Sequence, residues 1–193
     1  MKHVIDDEPE IEALPVFQRY RELSHLTLDE LEIKGEQFRQ LSFNDLKAKE
    51  ATCSSKYAEL SINKCNFKSL QFIDTMLSSS IFSKSTFDRL IFNVKYDALY
   101  VKLNDVIIGL VEFQGRTALP ITGIKFNSSK INHMLFEDFQ AAMWEFSDCR
   151  IDTIELKNVK DLTFFDFKNT TISKVIVDGR VLGREEARNK LHF

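Results

Sequence analysis

From residue 62 onward a large apolar side chain stands at every fifth position: Ile62, Phe67, Phe72, Leu77, Phe82, Phe87 and Phe92. The series resumes in phase as Ile121, Phe126, Ile131 and Phe136, passes through Ala141 and continues as Phe146, Ile151 and Leu156. A one-residue shift then gives Leu162, Phe167, Ile172 and Val177. A period of five suits neither standard element. On a helix, fifth residues are rotated by roughly 140° from one another, and along a strand they alternate between faces. All of them point inward only if the backbone turns a corner every few residues and winds around its own apolar axis. The predicted architecture is a solenoid, in which no single unit buries a core and stacking creates one.

These repeats resemble the pentapeptide-repeat family. The resemblance implies an all-β solenoid, a right-handed quadrilateral β-helix of about eight coils over residues 28–182, with short helical caps at one or both ends. If about twenty residues close a turn, central residues four repeats apart stack roughly 4.8 Å from one another. With one-residue slips at Cys53–Tyr57, Phe92–Tyr96 and Leu156–Leu162, one expected column is Phe67, Phe87, Val106, Phe126, Phe146 and Phe167. A second runs Phe72, Phe92, Val111, Ile131, Ile151, Ile172. A third runs Phe43, Ile62, Phe82, Val101, Ile121, Ala141, Leu162, Leu182, and the fourth Phe38, Tyr57, Leu77, Tyr96, Arg116, Phe136, Leu156, Val177. The family also places a small residue two positions before the central one. Ser55, Cys65, Thr75, Ser80, Ser85, Ser129, Cys149 and Thr170 conform, whereas Leu60, Leu70, Leu90, Met134, Trp144 and Phe165 do not, which predicts a bulkier interior. Small Ala141 after large Phe139 would conserve volume there.

Both ends read differently from the middle. Residues 1–27 are expected to form a tail and cap, with an acidic solvated stretch from Asp6 to Glu12 and helical spacing over 15–24. Residues 183–193, GREEARNKLHF, place Glu185 and Glu186 early and Lys190 late, which suits a helix dipole. This segment is expected to cap the coil or to meet a second copy. The stretch 104–123 holds Gly109, Gly115, Gly123 and Pro120, and it puts Arg116 where a buried residue is due. The chain is therefore expected to leave the coil over 113–120. That excursion is either a tolerated bulge or a partner-binding loop carrying Gln114, Gly115, Arg116 and Thr117.

Composition adds limits. With 193 residues, 44% hydrophobic and 28% charged, the chain can bury one sizeable core, and the columns account for most of its 17 phenylalanines. Three dispersed cysteines without a C-x-x-C spacing read as reduced packing residues, and four scattered histidines offer no metal-ligand spacing. Neither a run of apolar residues long enough to cross a membrane nor a secretory leader is evident, so a cytoplasmic location is expected. No phosphate loop, nucleophile elbow or H-E-x-x-H is present, so neither catalysis nor a cofactor is expected.

Two functions remain. The first is a non-catalytic protein-binding scaffold of effector or immunity type, a rod roughly 38 Å long that acts as a monomer or an end-to-end homodimer. The alternative, implied by the resemblance, is a DNA mimic that binds a type II topoisomerase such as DNA gyrase and protects or inhibits it. Mimicry needs a dense negative field. Here 29 acidic residues face 26 basic ones, and outward Lys64, Lys68, Lys84, Lys125, Lys130 and Lys157 interrupt any acidic stripe. Direct nucleic-acid binding is disfavoured by a pI near 5.9.

Overall fold

The computed structural model describes residues 2–6, 21–94, 98–115, 121–138, 141–159 and 165–191. It is a β-solenoid that is 76% strand, with one short C-terminal helix. From residue 21 onward successive turns pair in parallel, one directly above the next, with partners 19 to 24 residues apart, as in Phe43 with Ile62 and Ala98 with Thr122.

Alternation builds each side. In Asn66–Ile73 the chain buries Phe67, Leu70 and Phe72 and exposes Asn66 and Lys68. Residues two apart on a strand share a face, so the straight stretches present more than one inward position. Corners between the sides need backbone in the left-handed region, and among the described residues fifteen non-glycine residues adopt it. Eight of them are Asp or Asn, the L-residues that tolerate that region best: Asp45, Asp74, Asp105, Asp138, Asp148, Asn158, Asn169 and Asp178. Hydrogen bonds between coils hold the corners. The amides of Asp45, Lys64, Lys84 and Asp105 donate to the carbonyls of Asn63, Ser83, Asn104 and Asn127 one turn later.

The inward side chains form columns. One runs Leu23, Phe43, Ile62, Phe82, Leu103, Phe126, Phe146, Phe167. A second runs Leu28, Ala48, Phe67, Phe87, Ile108, Ile131, Ile151, Ile172, and a third Ile33, Cys53, Phe72, Phe92, Phe113, Phe136, Leu156, Val177. The fourth side is described in part, as Phe38, Ala58 and Leu77 and by the pairing of Ile121 with Ala141. Rings stack at 5.2 Å for Phe72–Phe92, 5.0 Å for Phe92–Phe113, 5.1 Å for Phe113–Phe136 and 4.8 Å for Phe146–Phe167. The rung spacing of a sheet imposes this separation, which also suits offset aromatic stacking.

These columns correct the predicted ones. Phe87 and Phe126 do not share a column: Phe87 stacks on Phe67 and under Ile108, and Phe126 stacks on Leu103 and under Phe146. Within residues 60–92, and again within 121–156, the predicted stacking of fifth residues holds, but the two blocks join one side out of step. The cause lies in the pairs Val101/Leu103, Val106/Ile108 and Val111/Phe113. Each pair is buried and two residues apart, so apolar phase alone does not separate the column member from its inward neighbour. The true members, Leu103, Ile108 and Phe113, require 21 residues from Phe82, Phe87 and Phe92, where a shortened turn was expected. Tyr57 likewise pairs with Gln37 and Met76, leaving Ala58 in the fourth column. Tyr96, Arg116 and Leu162 lie outside the described residues, as does Phe139 of the proposed volume exchange.

The ends also differ from expectation. Residues 21–24 form a strand that pairs with Leu41–Asn44, so the described part of the predicted 15–24 helix is instead the first rung. Residues Lys2–Asp6 form another strand, beside Glu30–Lys34. At the far end Val177 pairs antiparallel with Arg180, which turns the chain back before 182; the turns are somewhat fewer than the expected eight. The helix Arg184–Leu191 follows, burying Ala187 and Leu191, with acidic residues in its first turn and basic ones in its last.

Candidate partner-binding surfaces

The described interior is filled by side chains. The side chains of Phe67, Phe72, Phe82, Phe87, Phe92, Phe113, Phe126 and Phe136 have no accessible surface, and Trp144 fills a predicted small-residue position edge-on to Phe113 at 4.6 Å. The small residues that are present act as corner braces. The Ser85 hydroxyl accepts from the Cys65 amide at 3.0 Å and donates to the Ser83 carbonyl at 2.7 Å. The Ser129 and Thr170 hydroxyls accept from the amides of Val106 and Cys149, and Ser80 from that of Leu60. Each brace gives a backbone donor a hydrogen-bond acceptor.

All three cysteines are free and buried. Desolvation pushes the Cys53 thiol up to about 11, and it raises Cys65 and Cys149 as well. The proton stays on each sulfur at neutral pH, which makes them inert packing groups. Among the described residues, no three His, Cys, Asp or Glu side chains gather around a metal-sized space.

On the exterior, opposite charges sit one turn apart. Lys125 donates to Glu145 at 2.7 Å and Lys49 lies 2.7 Å from Asp29, while the His133 ring is hydrogen-bonded to Glu155 at 3.0 Å. The Lys49 ammonium holds the Asp29 carboxyl down at about 2. One pair departs from this exposed type. Glu112 stands at an outward strand position yet is 5% exposed, and half-exposed Arg89 donates to it at 2.6 Å. Buried Ile91 and part-buried Leu135 lie one turn below and above Glu112, in register with it. Sequence reasoning missed this pair because its members are 23 residues apart, a separation that becomes meaningful only once the turn length is known.

Apolar side chains stand out on the same exterior. Tyr100 is 56% exposed and Met143 65%, with Ile81 and Ile107 also exposed. Tyr100 and Met143 each precede a member of the Phe126 column by three residues, Leu103 and Phe146, so they share one edge of the rod, two turns apart. Of the predicted loop, Gln114 and Gly115 belong to the strand Ile107–Gly115, where Gln114 pairs with Asn93 and Glu137. Arg116 and Thr117 lie outside the described residues.

Among the described residues no helix is long and apolar enough to cross a membrane. No family model matches the chain, and neither a curated protein nor a solved structure does.

Proposed function

We propose that this chain is a non-catalytic protein-binding scaffold, a divergent relative of the pentapeptide-repeat proteins that presents its rod-like exterior to a protein partner in the cytoplasm. One observation carries the reading. Large apolar side chains, above all Tyr100 and Met143, are spent on an outer edge while the axis is filled, and exposed aromatic and Met side chains are what protein contacts favour.

Charge stacking argues against the DNA mimic. Acidic groups in neighbouring turns would lie about 4.8 Å apart, and like charges stacked that closely destabilise a sheet. A mimic accepts that cost to build its field. This chain instead sets Lys49 against Asp29 and Lys125 against Glu145. Acidic Asp29, Glu30, Glu32 and Glu50 do gather on the first turns, but Lys2, Lys34 and Lys49 pair with three of them.

Affinity capture from the native cell tests the proposal. A protein partner should be retained and should be lost with Tyr100→Ser and Met143→Ser together. In parallel, micromolar protein should leave gyrase supercoiling unchanged. Clear inhibition, or protection of gyrase from a drug, would reverse the ranking in favour of mimicry.

A further inference from the structure

The last turn of the coil ends in an unusual way. The strand Thr171–Val177 pairs with Arg150–Leu156 on one side. On its other side, among the described residues, only Ile176 and Val177 find strand partners, Val181 and Arg180, while the Val175 carbonyl accepts from the Leu182 amide. Among the described residues, the edge from Thr171 to Lys174 has no strand above it. A cleft of about 460 Å³ lies between this edge and the helix Arg184–Leu191. Its walls include Ser173, Lys174, Arg184 and Arg188, with Val175 and Ala187 buried at its base. All three cations are exposed, and among the described residues none has an ion-pair partner; the neighbouring Arg180 is already engaged with Glu186.

We propose that this cleft binds an extended acidic peptide segment, which adds as a further strand to the open edge at Thr171–Lys174 and sets its carboxylates against Lys174, Arg184 and Arg188. This deepens the scaffold reading and rests on it, by giving the partner's docking element a place and a chemistry. An unpaired edge supplies main-chain donors and acceptors at strand spacing, which is how added strands gain affinity. The three cations supply the sign and confer preference for carboxylates over neutral strands.

The probe is a fluorescein-labelled decapeptide of alternating Glu and Val, followed by fluorescence polarisation against the full chain. Saturable binding is expected that weakens as salt rises from about 50 to about 300 mM. Affinity should fall at least about tenfold in Lys174→Glu/Arg184→Glu/Arg188→Glu, provided its circular dichroism and melting match the wild type. If that variant misfolds, Lys174→Gln with the salt series serves instead. A peptide of the same charge in which Pro replaces every Val and each Glu is N-methylated should not bind, because it has no main-chain N–H to offer the edge.

Equal binding of the proline peptide would overturn the proposal in favour of plain charge attraction. Absence of binding, together with self-association of Lys174→Gln/Arg184→Gln/Arg188→Gln, would show that the cations only keep edges of two copies apart. A cellular partner that still binds the charge-reversed variant would remove this site and leave the scaffold reading intact. Peptide binding with no cellular partner would do the reverse.

Discussion

At the residue scale, the fold is held by side chains that meet their counterparts one turn away. Phe126 has no accessible surface and stacks on Phe146 at 5.1 Å, so Phe126→Ala should cost about 3–5 kcal/mol by opening a cavity within the column. Chemical denaturation measures it, and an unchanged midpoint would remove Phe126 from the core. The cysteines give a pH-dependent test. The folded Cys53 thiol ionises at about 11 against an ordinary 9.0, so folding favours the protonated form. The associated stability is complete below pH 9 and is lost as pH rises through about 11. Iodoacetamide at pH 8 should therefore leave the three thiols unmodified in the native protein and label them after unfolding. Rapid labelling of the native chain would contradict their burial.

At the element scale, the fifth-residue period made the solenoid legible before any coordinates, because only a chain that turns corners can bury every fifth side chain. The resemblance to the pentapeptide-repeat family also implied the small-residue positions, of which Ser80, Ser85, Ser129 and Thr170 are hydrogen-bonding braces. The fifth-residue signal failed between Phe92 and Ile121. Val106 and Ile108 are both inward and both buried, so hydrophobicity could not choose the column member, and turn length varies in a way no local rule specifies. Arg89 with Glu112 was invisible for the same reason. One residue in this stretch was legible only as irregular: Gly109, read as a sign of a loop, lies in a strand. A Cβ there would stand 2.6 Å from the Asp88 carbonyl oxygen in the turn below. Gly109→Ala should push the two turns apart locally and cost about 1–3 kcal/mol, read as a lower melting temperature. A melting curve equal to the wild type would show that the turns are not packed that closely.

At the scale of the whole molecule, the rod separates its tasks. The described axis is packed, the sides are stitched with paired charges, and the proposed recognition falls to an apolar edge at Tyr100 and Met143 and an open rim at the last turn. The candidate site was the least legible part of the chain. Exposure depends on which turn a residue occupies, and the four loop residues singled out from the sequence are divided between a strand and residues outside the described ones. All of this depends on the stacking register. Scalar couplings between ¹⁵N and ¹³C′ nuclei across hydrogen bonds, recorded on deuterated protein, read that register directly. The Lys84 amide should couple to the Asn104 carbonyl, Asp105 to Asn127, and Lys130 to Val106. Couplings from these amides to carbonyls four residues earlier, or to carbonyls that place Phe126 above Phe87, would contradict the account.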